Sequence, residues 1–152
     1  MDLCFDVNNT VLNVRSAAFI TYDNQVLVSK KESSDYYSLP GGKVKIGEDS
    51  RTCLYRELKE ELNYDIYLTE LQLVRIVENF YQLNGKNYHE ILFIYKYHFN
   101  HEYYNGDFKN LENEEMKMMW IPNDAFILMD IEPGIIKNIL HDDSLKHIII
   151  KK

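Results

Sequence analysis

The stretch from Gly42 to Tyr64 constrains this chain more than any other. Leu39-Pro40-Gly41-Gly42 makes a sharp break in the backbone. After it, Leu54, Leu58 and Leu62 recur at i, i+4 and i+8, so the pattern predicts an amphipathic helix over 50–62 with Asp49 or Ser50 as N-cap. Beside that apolar stripe stand Glu57, Glu60 and Glu61, at i, i+3 and i+4. Side chains at this spacing share a helix face, with Cβ atoms about 5–6 Å apart. Like charges that close repel and raise one another's pKa, so the cluster gains nothing structurally unless a cation sits among the acids. Clustered hard oxygens suit Mg²⁺, which takes a few carboxylates, some waters and substrate phosphates.

The same stretch resembles the Nudix box, G-x5-E-x7-R-E-U-x-E-E-x-G-U, where U is a bulky aliphatic residue. Gly42, Glu48, Arg56, Glu57, Leu58, Glu60 and Glu61 fall in register. Six fixed residues, each at a frequency of roughly one in fifteen, coincide by chance on the order of once in 10⁷ starting positions. Two positions depart: Asn63 stands for the family's glycine and Tyr64 for its aliphatic residue. Asn63 follows the helix end, where left-handed backbone is expected, and asparagine adopts it next most readily after glycine. A plain acidic, solvated helix would explain neither Gly42 nor Glu48 nor the embedded Arg56.

At 152 residues, with 45% hydrophobic and 13% aromatic content, the chain is expected to form a single domain over 1–152 with a real core. The net charge of -7 disfavours long nucleic acids and anionic membranes, which need clustered Lys and Arg. A small anionic nucleotide held through metal ions stays compatible. Cys4 and Cys53 make no disulfide framework, and Cys53 reads as a packed thiol. No signal-type or membrane-length apolar run is visible, so a cytoplasmic protein is expected. Formation of a homodimer stays open at this level.

Strands are expected at 3–6, 14–22 and 25–30, with turns at Asn8-Asn9 and Asp23-Asn24. One or two more fall within 66–81, and Asn84-Gly85 is a hairpin turn before a long alternating strand over 87–99. Ile91, Phe93, Tyr95, Tyr97 and Phe99 share one face of it. Residues 31–37 and 100–115 read as polar loops, the second as a mobile one, with a strand at 117–121, a short helix at 133–140 and a last strand at 147–150. Strands around a central helix with a late helix indicate an α/β (α+β) chain with a mixed sheet between helices. The resemblance implies the same, a Nudix-type α/β/α sandwich.

The resemblance also implies a reaction: water attack on phosphorus in a substrate built as a nucleoside diphosphate linked to another group. Nucleoside triphosphates, dinucleoside polyphosphates and nucleotide sugars all qualify. By matching positions, Glu57, Glu60 and Glu61 would bind Mg²⁺, with Mn²⁺ as an alternative. The Gly41 carbonyl is a further ligand, Glu48 is an accessory ligand or holds the loop, and Arg56 orients the box carboxylates. The general base is the residue matching Glu57 or a loop carboxylate, for which Glu112, Glu114 and Glu115 are candidates. Glu78 and Glu90 are strand acids that could enter the cleft, and Tyr81 and Trp120 are candidates to contact substrate. His89 reads as an ordinary strand residue. Tyr81 lies where the diadenosine-polyphosphate hydrolase branch carries a tyrosine, while the proline of the ADP-ribose branch is missing. The segments 77–81 and 88–91 resemble a bacterial Nudix group without an assigned substrate. Competing readings are a nucleotide-sensing Nudix domain, which would have lost box acids, and an RNA-cap pyrophosphohydrolase with the same chemistry. An isoprenoid-diphosphate isomerase would need a catalytic cysteine that neither Cys4 nor Cys53 supplies.

Overall fold

Three two-residue turns organise the strands. Asn8-Asn9, Asp23-Asn24 and Asn84-Gly85 all have positive φ at both positions, the type I′ geometry whose twist matches that of antiparallel strands. They join β1 (Cys4–Val7) to β2 (Thr10–Tyr22), β2 to β3 (Gln25–Lys31), and β5 (Gln72–Leu83) to β6 (Lys86–His98). A computed structural model describes residues 1–100, 108–109 and 115–152. The remaining elements are β4 (Gly41–Lys43), α1 (Ser50–Leu62), β7 (Phe108–Lys109), β8 (Met116–Pro122), α2 (Asn123–Leu128) and β9 (Lys146–Lys151). Short 3₁₀ helices cover Leu68–Glu70 and Gly134–Leu140.

Among the described residues, nine strands form one mixed sheet ordered β7-β8-β3-β2-β6-β5-β9. β2 runs parallel to β6 from Thr10 to Thr21, and β9 runs parallel to β5; the other pairs are antiparallel. The opposite edge of β2 is shared by β1 at its start, β4 in its middle and β3 at its end. Alternate residues of β2 therefore serve two cores. Ala17 and Phe19 join Val77, Ile94, Phe126, Ile136 and Ile139 beneath α2 and the late 3₁₀ helix. Ala18 and Ile20 join Leu54, Leu58, Tyr95, Tyr97 and Phe99 beneath α1. The result is the expected α/β/α layering, with α1 on one face and α2 and the late 3₁₀ helix on the other.

Several details differ from the sequence reading. The segment 66–81 yields a single strand that begins only at Gln72, because the Leu68–Glu70 turn intervenes. α2 was not foreseen: six residues are too few for periodicity to mark. The late helix is 3₁₀, and Phe108–Lys109 pairs with β8 inside the segment expected to be a loop. The expected mobility of 101–107 and 110–114 lies outside the described residues. Arg75 is nearly fully buried. Its guanidinium donates to the carbonyls of Val74, Asp142 and Ser144, tying the lead-in of β9 to β5. No described helix is long and apolar enough to cross a membrane.

Leu58 has no exposed surface and anchors α1 to the sheet. Leu58→Ala should cost about 2–5 kcal/mol of unfolding free energy, measured by urea denaturation. A loss well under about 1 kcal/mol would contradict this docking of α1.

Candidate active site

α1 is capped and pinned before it presents any acid. The Asp49 carboxylate accepts from Thr52 N at 2.9 Å and from Thr52 Oγ1 at 2.8 Å. Ser16 Oγ donates to the Ser50 carbonyl at 2.9 Å, and the Ser50 and Tyr95 hydroxyls bond at 2.6 Å. Asn63 closes the helix in the left-handed conformation expected of it, φ 52° and ψ 37°. Leu54 and Leu58 then face the sheet, which turns Glu57 and Glu61 towards the cleft beside β4.

Arg56 gathers the acids. Its Nε and Nη2 grip both oxygens of Glu48 at 2.8 and 3.0 Å. Nη1 donates to Glu57 Oε1 at 2.9 Å and to Glu60 Oε2 at 3.3 Å, and Nη2 donates to the Lys43 carbonyl at 3.1 Å. The guanidinium holds the Glu48 carboxyl below its ordinary value against the opposing effect of burial, helped by the Lys45 N–H at 3.1 Å. Glu48 thus has both oxygens engaged in tying the loop to the helix. Glu60 rests on Arg56 with its side chain 37% exposed. Nearby Cys53 packs under the loop, and burial pushes its thiol up to about 12, away from the reactive range.

Gly42 explains itself at this point. A Cβ there would stand 2.2 Å from the Glu57 carboxyl carbon, so only glycine lets this carboxylate lie against the strand. Gly41, at φ 149°, lies equally tight on β2, with a Cβ position 2.1 Å from the Ser16 carbonyl oxygen. Both glycines, Glu57 and the buried Glu61 line a cleft of about 870 Å³. Arg15, Lys31, Lys43 and Lys152 line it too, together with Asp2, Glu90 and Glu132.

The cleft continues over β2, β6 and β5. Glu90 is buried in its wall, where Asn13 Nδ2 donates to Glu90 Oε2 at 2.9 Å. Asn13 and Asn79 are its register partners on either side. Burial pushes the Glu90 carboxyl above its ordinary value, while Arg15, Asn13 and Asn79 pull it back. Tyr81 lines the same cleft, its ring stacked on Tyr88 at 4.9 Å, and burial raises its phenol. Asn13 and Asn79 were missed in the sequence; a polar residue amid an apolar strand was the available signal.

The other candidates lie elsewhere. Glu78 neighbours Val77 and Asn79, whose side chains point to the cleft side, so its own points the opposite way and meets His147 Nε2 at 2.6 Å. Trp120 packs on the α1 face with Phe99 and Tyr22, at centroid distances of 5.6 and 6.0 Å, rather than in the cleft. Glu115 is exposed in the turn before β8, where its carbonyl accepts from Glu32 N. Glu112 and Glu114 lie outside the described residues. His89 stacks on Phe80.

Among the described residues, no three His, Cys, Asp or Glu side chains converge as a metal-holding group. Of the acids expected to hold the ion, Glu48, Glu57 and Glu60 are paired with Arg56. The donors that do face the cleft, Glu57, Glu61 and the side-chain-free backbone at Gly41, are hard oxygens and fit a divalent ion that keeps several waters.

A family model described as NUDIX domain matches residues 12–141. No curated protein matches the sequence. Among solved structures, a mutator MutT protein from Bacillus halodurans aligns with a TM-score of 0.70 at 23% identity, covering 89% of this chain and 86% of that one. A MutT NUDIX hydrolase from Burkholderia pseudomallei gives 0.59 at 24% identity, covering 74% and 84%. A UDP-X diphosphatase gives 0.55 at 18% identity, covering 90% and 66%.

Because folding raises the Glu90 pKa, its stabilising contribution is complete below the ordinary value of 4.5 and fades as pH rises through the folded value. Glu90→Gln abolishes that loss, and a flipped Asn amide can still pair with the new side chain. Its urea midpoint should match or exceed that of the wild type near pH 7, with the difference shrinking towards about pH 4. A markedly less stable variant near pH 7 would show the opposite sign.

Proposed function

The chain belongs to the Nudix family, hydrolases of phosphorus-containing acid anhydrides, and on that premise we propose that it is a divalent-metal-dependent pyrophosphohydrolase of a small nucleotide. The substrate would be a nucleoside diphosphate linked to a further group: a nucleoside triphosphate, a dinucleoside polyphosphate or a nucleotide sugar. The observation that carries this reading is the convergence of Glu57 and Glu61 on one cleft, with Gly42 leaving room for the Glu57 carboxylate. The retained box acids favour turnover over nucleotide sensing. MutT-type and UDP-X diphosphatase proteins among the structural neighbours share this fold.

Phosphoryl transfer asks a protein mainly for in-line positioning and for neutralisation of spreading negative charge. Glu57 and Glu61, with the Gly41 backbone, would hold Mg²⁺ or Mn²⁺. Such an ion, when bound, offsets phosphate charge and lowers the pKa of a coordinated water. Arg56 keeps Glu57 aimed by holding one of its oxygens. Lys31, Lys43 and Arg15 line the same cleft and are placed to pair with non-bridging phosphate oxygens. Tyr81 and Glu90 would meet the nucleotide further along the wall.

The test is release of phosphate and pyrophosphate with Mg²⁺ across nucleoside triphosphates, dinucleoside polyphosphates and nucleotide sugars. Turnover of one class is expected, lost on adding EDTA and restored by excess Mg²⁺. Glu57→Gln and Glu61→Gln should each lower it by orders of magnitude while the circular dichroism spectrum stays that of the wild type. Metal-independent turnover, or variants as active as the wild type, would refute the assignment. Nucleotide binding with no turnover of any class would favour a sensor instead.

A further inference from the structure

The wall opposite the box carries a polar arrangement that phosphate chemistry does not use. Three adjacent strands each place one polar residue at the same level: Asn13 on β2, Glu90 on β6 and Asn79 on β5. All three are at least nine-tenths buried, at 6%, 6% and 9% exposure. Beyond Arg15, the face continues as apolar core through Ala17, Leu92 and Val77. Burying a carboxylate and two amides in a row is unfavourable unless every polar atom is paired. Here the pairing is incomplete. Asn13 donates its amide to Glu90, yet Asn13 Oδ1 and Asn79 Oδ1 have no hydrogen-bond partner among the described residues. An unsatisfied buried acceptor costs roughly 1–3 kcal/mol, so a purely structural role explains the row poorly. Glu90 and Asn79 both line the cleft, with Tyr81 two residues along β5 from Asn79. The Tyr81–Tyr88 stack there offers a flat aromatic surface beside the carboxylate.

We propose that Glu90, braced by Asn13 and flanked by Asn79, is the nucleoside-recognition residue of this cleft, accepting N–H or O–H donors from the nucleoside part of the substrate. The inference rests on the pyrophosphohydrolase reading and adds to it the group that reads the nucleoside. The chemistry follows from the inventory: at the cleft, carboxylate oxygens of Glu90 and the unpaired Asn79 amide oxygen are acceptors, so the complementary ligand surface is rich in donors. A nucleobase edge and a ribose diol both meet that description. Polyphosphate, which offers acceptors alone, does not. Asn13 is a positioning residue, since its amide holds Glu90 Oε2 while the cleft is lined by Glu90 itself. Arg15, on the same face, pulls the Glu90 carboxyl back towards its ordinary value against the effect of burial.

The experiment is calorimetric binding of nucleoside monophosphates, their 2′-deoxy forms and ribose 5-phosphate to the wild type, Glu90→Gln and Asn79→Ala, with Mg²⁺ present. Thermal unfolding of each variant gives the check on folding. Glu90→Gln should weaken nucleoside monophosphate binding by about tenfold or more, and in turnover it should raise KM more than it lowers kcat. If ribose 5-phosphate binding is unchanged by Glu90→Gln, the donors belong to the base. If it falls in parallel and the 2′-deoxy forms lose the effect, they belong to the sugar. Binding and KM like those of the wild type in a folded Glu90→Gln protein, or no nucleoside monophosphate binding by the wild type, would overturn the proposal. The two readings fail separately. Metal-dependent turnover with KM indifferent to Glu90 refutes only the subsite, while Glu90-dependent nucleoside binding without any turnover refutes only the hydrolase.

Discussion

One guanidinium makes the acidic helix face possible. Glu48, Glu57 and Glu60 all reach Arg56, and the Lys43 carbonyl joins them. No lysine could substitute: a point-like ammonium cannot grip both oxygens of Glu48 while reaching two further carboxylates. Through these bonds the loop over 43–48 is tied to α1, and Glu57 is held where Gly42 leaves space for it. Arg56 therefore sets the geometry of the cleft without lining it.

β2 supplies the second constraint. Its edge is divided among β1, β4 and β3, so the chain leaves and rejoins one strand three times. The middle visit brings Gly41 and Gly42 against Ser16 and Ala17, so close that a side chain at Gly41 would overlap backbone. On its other edge β2 runs beside β6 throughout, which aligns Asn13 with Glu90. Both walls of the cleft are therefore referred to one strand, and a shift in its register would misalign them together.

Local chemistry was legible in the sequence wherever it was self-contained. The box, the Asp49 cap, the left-handed Asn63 and the three paired turns each follow from residues within a few positions of one another. Failures came where phase or partners were non-local. Alternation marks two faces of a strand but not which one meets the cleft. In β5 the register shifts between Leu73 and Arg75, so Val74 and Val77 face the same core despite their odd separation. That break put Glu78 on the side away from the cleft and Asn79 on the cleft side. Trp120 depended likewise on which core β8 serves. Arg75 was invisible because its partners are backbone carbonyls, two of them about 70 residues away, and backbone acceptors leave no trace in side-chain identity.

Charge ties these features to the proposed chemistry. The chain carries -7 overall, and an anionic substrate approaching Glu57 and Glu61 meets like charge at short range. Screening at physiological salt acts over about 8 Å and weakens within a cleft, so solvent ions alone do not remove that repulsion. Arg15, Lys31, Lys43 and Lys152 offset it along the walls, but Arg56 is already committed to carboxylates. On the proposed reading a cation accompanies the polyphosphate beside Glu57 and Glu61, and two carboxylates with open backbone are a donor set suited to one. The nucleoside end faces a different problem. On the proposed reading Glu90 discriminates by hydrogen bonds at contact, so the two ends of the cleft are chemically divided, one served by a bound cation and the other by directional acceptors.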